Sequence, residues 1–199
     1  MNEETKKLAG LVAAIAKAMG ATVTRPPDAE RYWSAKVRTA DGVDLWLSKN
    51  MENRLRAAVD LPAIKGQDGQ DRQQSVRDVL SYEEQKSAPV TDITVSMDRE
   101  PEAIARDITR RLVPGASAVY AKALERKRTS EEYARGTNET LAKLAKAFKC
   151  EPRHGTNLYP GSVTVNVSGP NSVSIDRVYC SPDTAVAIVK LLQADKGAA

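Results

Sequence analysis

The chemistry this chain offers is concentrated in cations. Arg106, Arg110, Arg111, Lys122, Arg126, Lys127, Arg128 and Arg135 follow one another at near-helical intervals, with Lys143, Lys146 and Lys149 beyond them. Residues 101–153 hold 12 basic and 7 acidic side chains, whereas residues 1–100 hold 15 and 16. The whole net charge of +4 therefore resides in the central segment. Cations one turn apart can follow a phosphate backbone, each contact releasing counterions, or meet an acidic protein face. Glu125, Glu131, Glu132 and Glu139 interrupt the series, so a solvated helix laced with ion pairs is the competing structural reading. Tyr120 and Tyr133 offer rings for base stacking, although Tyr120 also falls on a core-facing position.

No comparable pattern points to catalysis. His154, the only histidine, lies in the turn-forming run Pro152-Arg-His-Gly155 without a nucleophile in a recognisable setting. Cys150 and Cys180 are isolated, which leaves no zinc ligand set, and both are expected to be small buried hydrophobes. Lys65-Gly-Gln-Asp-Gly69 lacks the Gly-Lys-Ser/Thr ending that cradles phosphates. Asp68 and Asp71 suit a turn better than a calcium loop. The expectation is a protein that binds rather than catalyses, with no cofactor and no metal.

The elements that must hold these residues can be read from periodicity. Leu8, Leu11, Val12, Ile15 and Met19 make one helical face, with Asn2 as cap and Gly20 as stop. Trp33, Ala35, Val37 and Thr39 alternate, as do Val43, Leu45 and Leu47, and Asp41-Gly42 between them predicts a tight hairpin with positive φ at both positions. Residues 55–61 and 93–97 read as further strands. The Gln-, Asp- and Gly-rich stretch 65–86 reads as a mobile excursion with a weak helical hint at 76–82. Pro101 opens a second helix carried by Ile104, Ile108 and Leu112, and Pro114-Gly115 is expected to break it. A further helix starts with Val119, Tyr120, Ala123 and Leu124. Burial resumes at Leu141, Leu144, Ala145 and Phe148, with Gly136 as a possible interruption. Val163, Val165 and Val167 pair through Gly169-Pro170-Asn171 with Val173 and Ile175, and the alternation slips at Arg177, the mark of a bulge. Pro182-Asp183 begins a last helix with Ala185, Val186, Val189 and Leu192, and residues 195–199 fray.

These elements predict an α+β protein of two α-β-β-(β)-α units with antiparallel hairpins, joined by a long basic helical arm. The expected boundaries are 1–115, a connector at 116–137, and 138–199, with a weak internal repeat and a core shared between the halves. With 41% hydrophobic and 28% charged residues the chain can bury a core. No apolar run approaches the roughly 18 residues of a membrane span, and 8–19 reads as an amphipathic helix rather than a signal segment. Two cysteines make no disulfide framework, so the cytoplasm is the expected compartment.

The helix–strands–helix order of each half resembles the double-stranded RNA-binding domain. That fold presents lysines at the start of its final helix, where this chain has Glu100-Pro-Glu-Ala-Ile-Ala105 and Ser181-Pro-Asp-Thr-Ala-Val186. The resemblance thus implies topology. Over residues 92–146 the chain resembles uncharacterised small proteins of phages and prophages. The run Asp92-Ile-Thr-Val-Ser-Met-Asp-Arg-Glu-Pro-Glu-Ala-Ile-Ala-Arg-Asp-Ile-Thr-Arg-Arg-Leu112 carries the likeness. It implies an accessory protein acting in a bacterial host cytoplasm by occupying a host protein or nucleoprotein complex, including defence systems such as CRISPR. The alternative expectation is direct binding of DNA or RNA through the basic stripe.

Overall fold

The computed structural model describes residues 3–27, 34–50, 52–66, 70–87, 89–153, 155–160, 163–178, 180–184 and 186–188. Asn2, Trp33, Asp68, His154, Ala185, Val189, Leu192 and the tail lie outside the described residues. The fold is α+β with antiparallel sheets, and it divides into two compact units, Met1–Ile64 with Asp71–Thr129, and Lys65–Gln70 with Ser130–Ala199. The division falls inside the expected connector, and each unit contains a cluster of buried side chains.

The first unit is a sheet with helices on one face. Helix α1 (Glu3–Ala18) buries Leu8, Val12 and Ile15. Gly20, at φ +63°, ends it with paired back-bonds, Ala21 N–H to the Ala16 carbonyl at 2.8 Å and Gly20 N–H to Lys17 at 3.1 Å. Strand β1 (Thr22–Arg25) follows, an element the alternation of Thr22, Val23 and Thr24 signals only faintly. β2 (Ser34–Arg38), β3 (Asp44–Lys49) and β4 (Arg54–Val59) continue the sheet. The β2–β3 hairpin differs from expectation: only Gly42 has positive φ, at +81°. The loop holds three residues, 40–42, so a turn closed by Gly42 N–H to the Thr39 carbonyl is followed by one left-handed residue.

After β4 the chain forms a small hairpin, β5 (Ile64–Lys65) with β6 (Asp71–Arg72), then α2 (Val76–Val79) and α3 (Tyr82–Lys86). Within residues 65–86 the described residues thus include short strands and two short helices. Each short helix is fixed by a capping box, Ser75 with Asp78 and Ser81 with Glu84, in which hydroxyl and carboxylate satisfy each other's backbone donors. Strand β7 (Asp92–Ser96) completes the antiparallel order β1-β2-β3-β4-β7.

Helix α4 (Pro101–Asp107), a π-helical turn (Ile108–Leu112) and α5 (Val113–Phe148) form one helical run of 48 residues. The break expected at Pro114 does not occur. Val113 N–H reaches back to the Ile108 carbonyl, and this widened turn relieves the clash between a proline ring and the carbonyl four residues earlier. Gly115 serves proximity instead: a Cβ there would collide with the Val90 backbone carbonyl. Gly136 likewise leaves the helix intact, because a Cβ would come within 2.9 Å of the Pro170 ring. Val119, Tyr120 and Ala123 are buried as expected, while Leu124 and Phe148 are exposed.

In the second unit, the helical segment from Ser130 onward backs the sheet β10-β9-β8, formed by β8 (Asn157–Leu158), β9 (Val163–Gly169) and β10 (Ser172–Val178). Leu141, Leu158, Val165 and Val167 make its core. The register shifts between Ile175 and Arg177, where the sequence slips. Residues 182–184 and 186–188 are helical. Cys150 packs half-buried on this core, but Cys180 is exposed, contrary to expectation. Among the described residues no helix is long and apolar enough to cross a membrane, and no group of side chains could hold a metal ion.

Candidate nucleic-acid interface

The predicted cations do not form one stripe. Arg106, Arg110 and Arg111 are exposed on the helical layer of the first unit. Arg99 holds Asp107 at 2.6 Å, and Arg110 and Arg111 approach the same carboxylate at 3.7 and 4.0 Å. Three guanidiniums on one carboxylate leave an excess of positive charge, and Arg99 foremost holds the Asp107 carboxyl below its usual range.

Lys122 and Arg126 are used internally. Lys122 pairs with Glu84, and Arg126 donates to the Asp78 carbonyl, so both brace α2 and α3. Lys122, with the Ser81 cap, pushes the Glu84 carboxyl down to about 2. A helix turns about 100° per residue, so Lys127 and Arg128 point to other sides of α5 than Arg126. Arg135 belongs to the second unit, exposed beside Glu131 and Glu139. Tyr120 is buried, as its core position implied, and Tyr133 is engaged through its hydroxyl, which donates to the Ser168 carbonyl at 2.6 Å.

The sheet of the first unit brings together a set that periodicity alone left unassigned. Its buried face, Ala35, Val37, Leu45, Leu47, Leu55, Ala57, Ile93 and Val95, lies under α1 and the π-helical turn. Side chains alternate along a strand, so the intervening residues share the opposite face. Cross-strand register aligns Arg25, Lys36, Trp46, Ala58 and Asp92 in one row across all five strands. The next row holds Ser34, Ser48, Arg56 and Thr94. Trp46 thus stands at the centre, only half-buried, with the Arg25 guanidinium 4.6 Å and the Lys36 ammonium 5.4 Å from its ring centroid.

Charge on this face is mixed and leans positive. Lys36 pairs with Asp60 at 2.5 Å, Arg56 with Asp92 at 3.1 Å, and Arg38 grips Asp44 bidentately at 2.7 and 2.8 Å. Arg25 and Arg54 have no carboxylate partner among the described residues. Beside Trp46 a groove of about 350 Å³ is walled on its far side by Gln73, Gln74, Ser75 and Val76, the residues that the first capping box positions.

The second unit holds a cavity of about 510 Å³ lined by Ser130, Tyr133, Thr137, Asn138, Thr156 and Ser168, among others. Its hydroxyls already donate within the protein, Ser130 to the Lys65 carbonyl, Tyr133 to Ser168 and Thr137 to Tyr133. The sheet face, by contrast, combines an aromatic ring, unpaired guanidiniums and a groove.

No protein-family model matches the chain, and neither the curated proteins nor the solved structures include one similar to it.

Proposed function

We propose that this protein works by binding, not by catalysis, and that the open face of its five-stranded sheet takes a single-stranded nucleic acid. The observation that carries this reading is Trp46, central on that face and flanked by Arg25 and Lys36. Every base has a π-face, so one ring on this face can accept any base once the guanidinium is displaced, and stacking contributes about 1–3 kcal/mol per base. Arg25 and Arg54 supply charge for phosphates on either side. In the free protein Arg25 covers the ring, but an exposed cation–π contact is worth only about 0.5–1 kcal/mol. A stacked base can therefore displace the guanidinium and leave it for the strand's phosphate. The resemblance to phage accessory proteins supplies the setting: a bacterial host cytoplasm, where the strand would belong to a nucleoprotein complex such as a CRISPR-type defence system.

The test is a fluorescence-anisotropy titration with labelled single-stranded RNA and DNA and with the matching duplexes. Single strands should bind more tightly than duplexes, with affinity falling as salt rises. Equal or stronger duplex binding would reject the sheet face in favour of a groove-tracking helix.

A second reading, docking of the protein on a host protein, is favoured by the Arg106, Arg110 and Arg111 cluster, whose cations outnumber the single Asp107 carboxylate. Binding of an acidic partner protein that survives nuclease treatment and is lost on Arg110→Glu would support it.

A further inference from the structure

We infer that the face around Trp46 reads one base of the bound strand and selects guanine through the carboxylate of Asp92. This rests on the sheet face being the strand-binding surface. The row that crosses the sheet has a direction: Arg25 and Lys36 on β1 and β2, Trp46 on β3, Ala58 on β4, Asp92 on β7. Cations thus flank the ring on one side, and a carboxylate closes the row on the other. Two strand spacings, about 10 Å, separate the backbones of Trp46 and Asp92, and Ala58 between them has no side chain beyond Cβ. Trp46, Ala58 and Asp92 share one groove. A nucleotide has the same order of parts, with its phosphate and the Watson–Crick edge of its base at opposite ends. When the β1 and β2 cations hold the phosphate and the base lies on Trp46, that edge is directed along the row toward Asp92.

Asp92 is open to such a contact. Its pairing with Ala58 sets it on the same face as Trp46, and its side chain is 48% exposed, against 16% for Asp60 and 19% for Asp44. Arg56 engages Oδ2 through Nε at 3.1 Å, and among the described residues no other hydrogen bond or ion pair holds Asp92. The Arg56 guanidinium also offsets the charge, which limits repulsion of the strand's phosphates. An ionised carboxylate only accepts hydrogen bonds, on two oxygens side by side. Guanine alone among the bases of RNA and DNA presents two adjacent donors on its Watson–Crick edge, N1–H and the N2 amino group. Adenine and cytosine set one donor beside an acceptor, and uracil and thymine set one donor between two acceptors. A site built to take a hydrogen bond discriminates strongly against the analogue that lacks the donor.

The experiment titrates the full chain, by anisotropy, with short labelled oligo-U strands in which one central residue is replaced by guanine, inosine, adenine or cytosine. The guanine strand should bind about 5- to 150-fold more tightly than the adenine, cytosine and unsubstituted strands, the range of one good bidentate base contact. Inosine keeps N1–H but lacks the amino group, so its strand should fall between. Asp92→Asn replaces two acceptors by one acceptor and one donor, and it should reverse the order, placing adenine and cytosine above guanine. The wild-type series, inosine included, decides the inference if that variant fails to fold. Equal binding of all the strands overturns the base-reading inference yet leaves strand binding intact. A guanine preference that Asp92→Asn retains overturns the assignment to Asp92. Absence of binding to any strand overturns the sheet-face reading itself. GMP serves as the free-ligand arm: competition as effective, mole for mole, as that of the guanine strand would overturn the claim that the base belongs to a strand.

Discussion

Tyr120 and Asp44, 76 positions apart, are joined by a hydrogen bond of 3.0 Å in which the phenol donates to Oδ2 of a carboxylate that Arg38 already holds. The contact ties the long helix to the start of β3, and it makes stability depend on pH at both ends of the scale. Arg38 first, and the Tyr120 hydroxyl second, hold the Asp44 carboxyl below its usual range. A depressed carboxyl contributes stability above its unfolded pKa, and that contribution is lost as pH falls through the folded value. Burial and the Asp44 hydrogen bond push the Tyr120 phenol up to about 12. Its contribution is complete below its ordinary value of about 10 and disappears as pH rises from there toward 12. Urea midpoints measured against pH should decline on both limbs. Tyr120→Phe should flatten the alkaline limb, and an unchanged alkaline decline would disprove the assignment to this phenol.

Gly115→Ala sets two effects against each other. Alanine in place of glycine favours a helix interior by about 1 kcal/mol. The added Cβ, however, meets the Val90 backbone, which can yield only by moving the chain that enters β7. Overpacking costs about 1–3 kcal/mol, so the variant should be less stable by urea unfolding. A gain in stability would show that the close approach is not a constraint.

The two capping boxes are predicted to hold the groove wall. Ser75→Ala and Ser81→Ala should each cost about 0.5–2 kcal/mol in local stability. Hydrogen exchange should show faster opening of residues 76–86 while β2, β3 and β4 keep their protection. Uniform loss across the sheet would mean that α2 and α3 are integral to the core rather than a separately stabilised wall.

Charge reversal separates the helix from the sheet. Arg106→Glu with Arg110→Glu alters the helical layer alone and should weaken strand binding only through long-range attraction, an effect that high salt removes. Arg54→Glu alters the sheet face and should weaken binding at low and high salt alike. The opposite order would relocate the strand to the helix. Arg126→Glu is a poor probe of binding, since Arg126 braces α2 through the Asp78 carbonyl.

How far the sequence could be read follows from which signals are local. The α1 face, the strand alternations, the hairpin at Gly42 and the bulge near Arg177 all depend on neighbours within a few residues, and each is present. Pro114 misleads because the compensating π-helical turn carries no residue signature of its own. The serines of α2 and α3 do carry one: Ser75 with Asp78 and Ser81 with Glu84 have capping-box spacing, obscured by the polar composition around them. Trp46 is visible as a strand residue, but its central place required the register of five strands and the packing of α1 and the π-helical turn on the other face. Charge alone drew attention to Lys122 and Arg126, which the fold spends on Glu84 and Asp78.

The most direct measurement isolates the indole of Trp46. In a Trp33→Phe background the remaining tryptophan fluorescence reports on this ring, and it should be quenched, saturably and in a salt-dependent manner, by unlabelled single-stranded oligonucleotide. Trp46→Ala, with circular dichroism unchanged, should lose about 5- to 150-fold in affinity, the equivalent of one stacked base. Undiminished affinity in Trp46→Ala, or oligonucleotide binding that leaves the Trp46 emission untouched, would contradict the assignment of the sheet face as the binding surface.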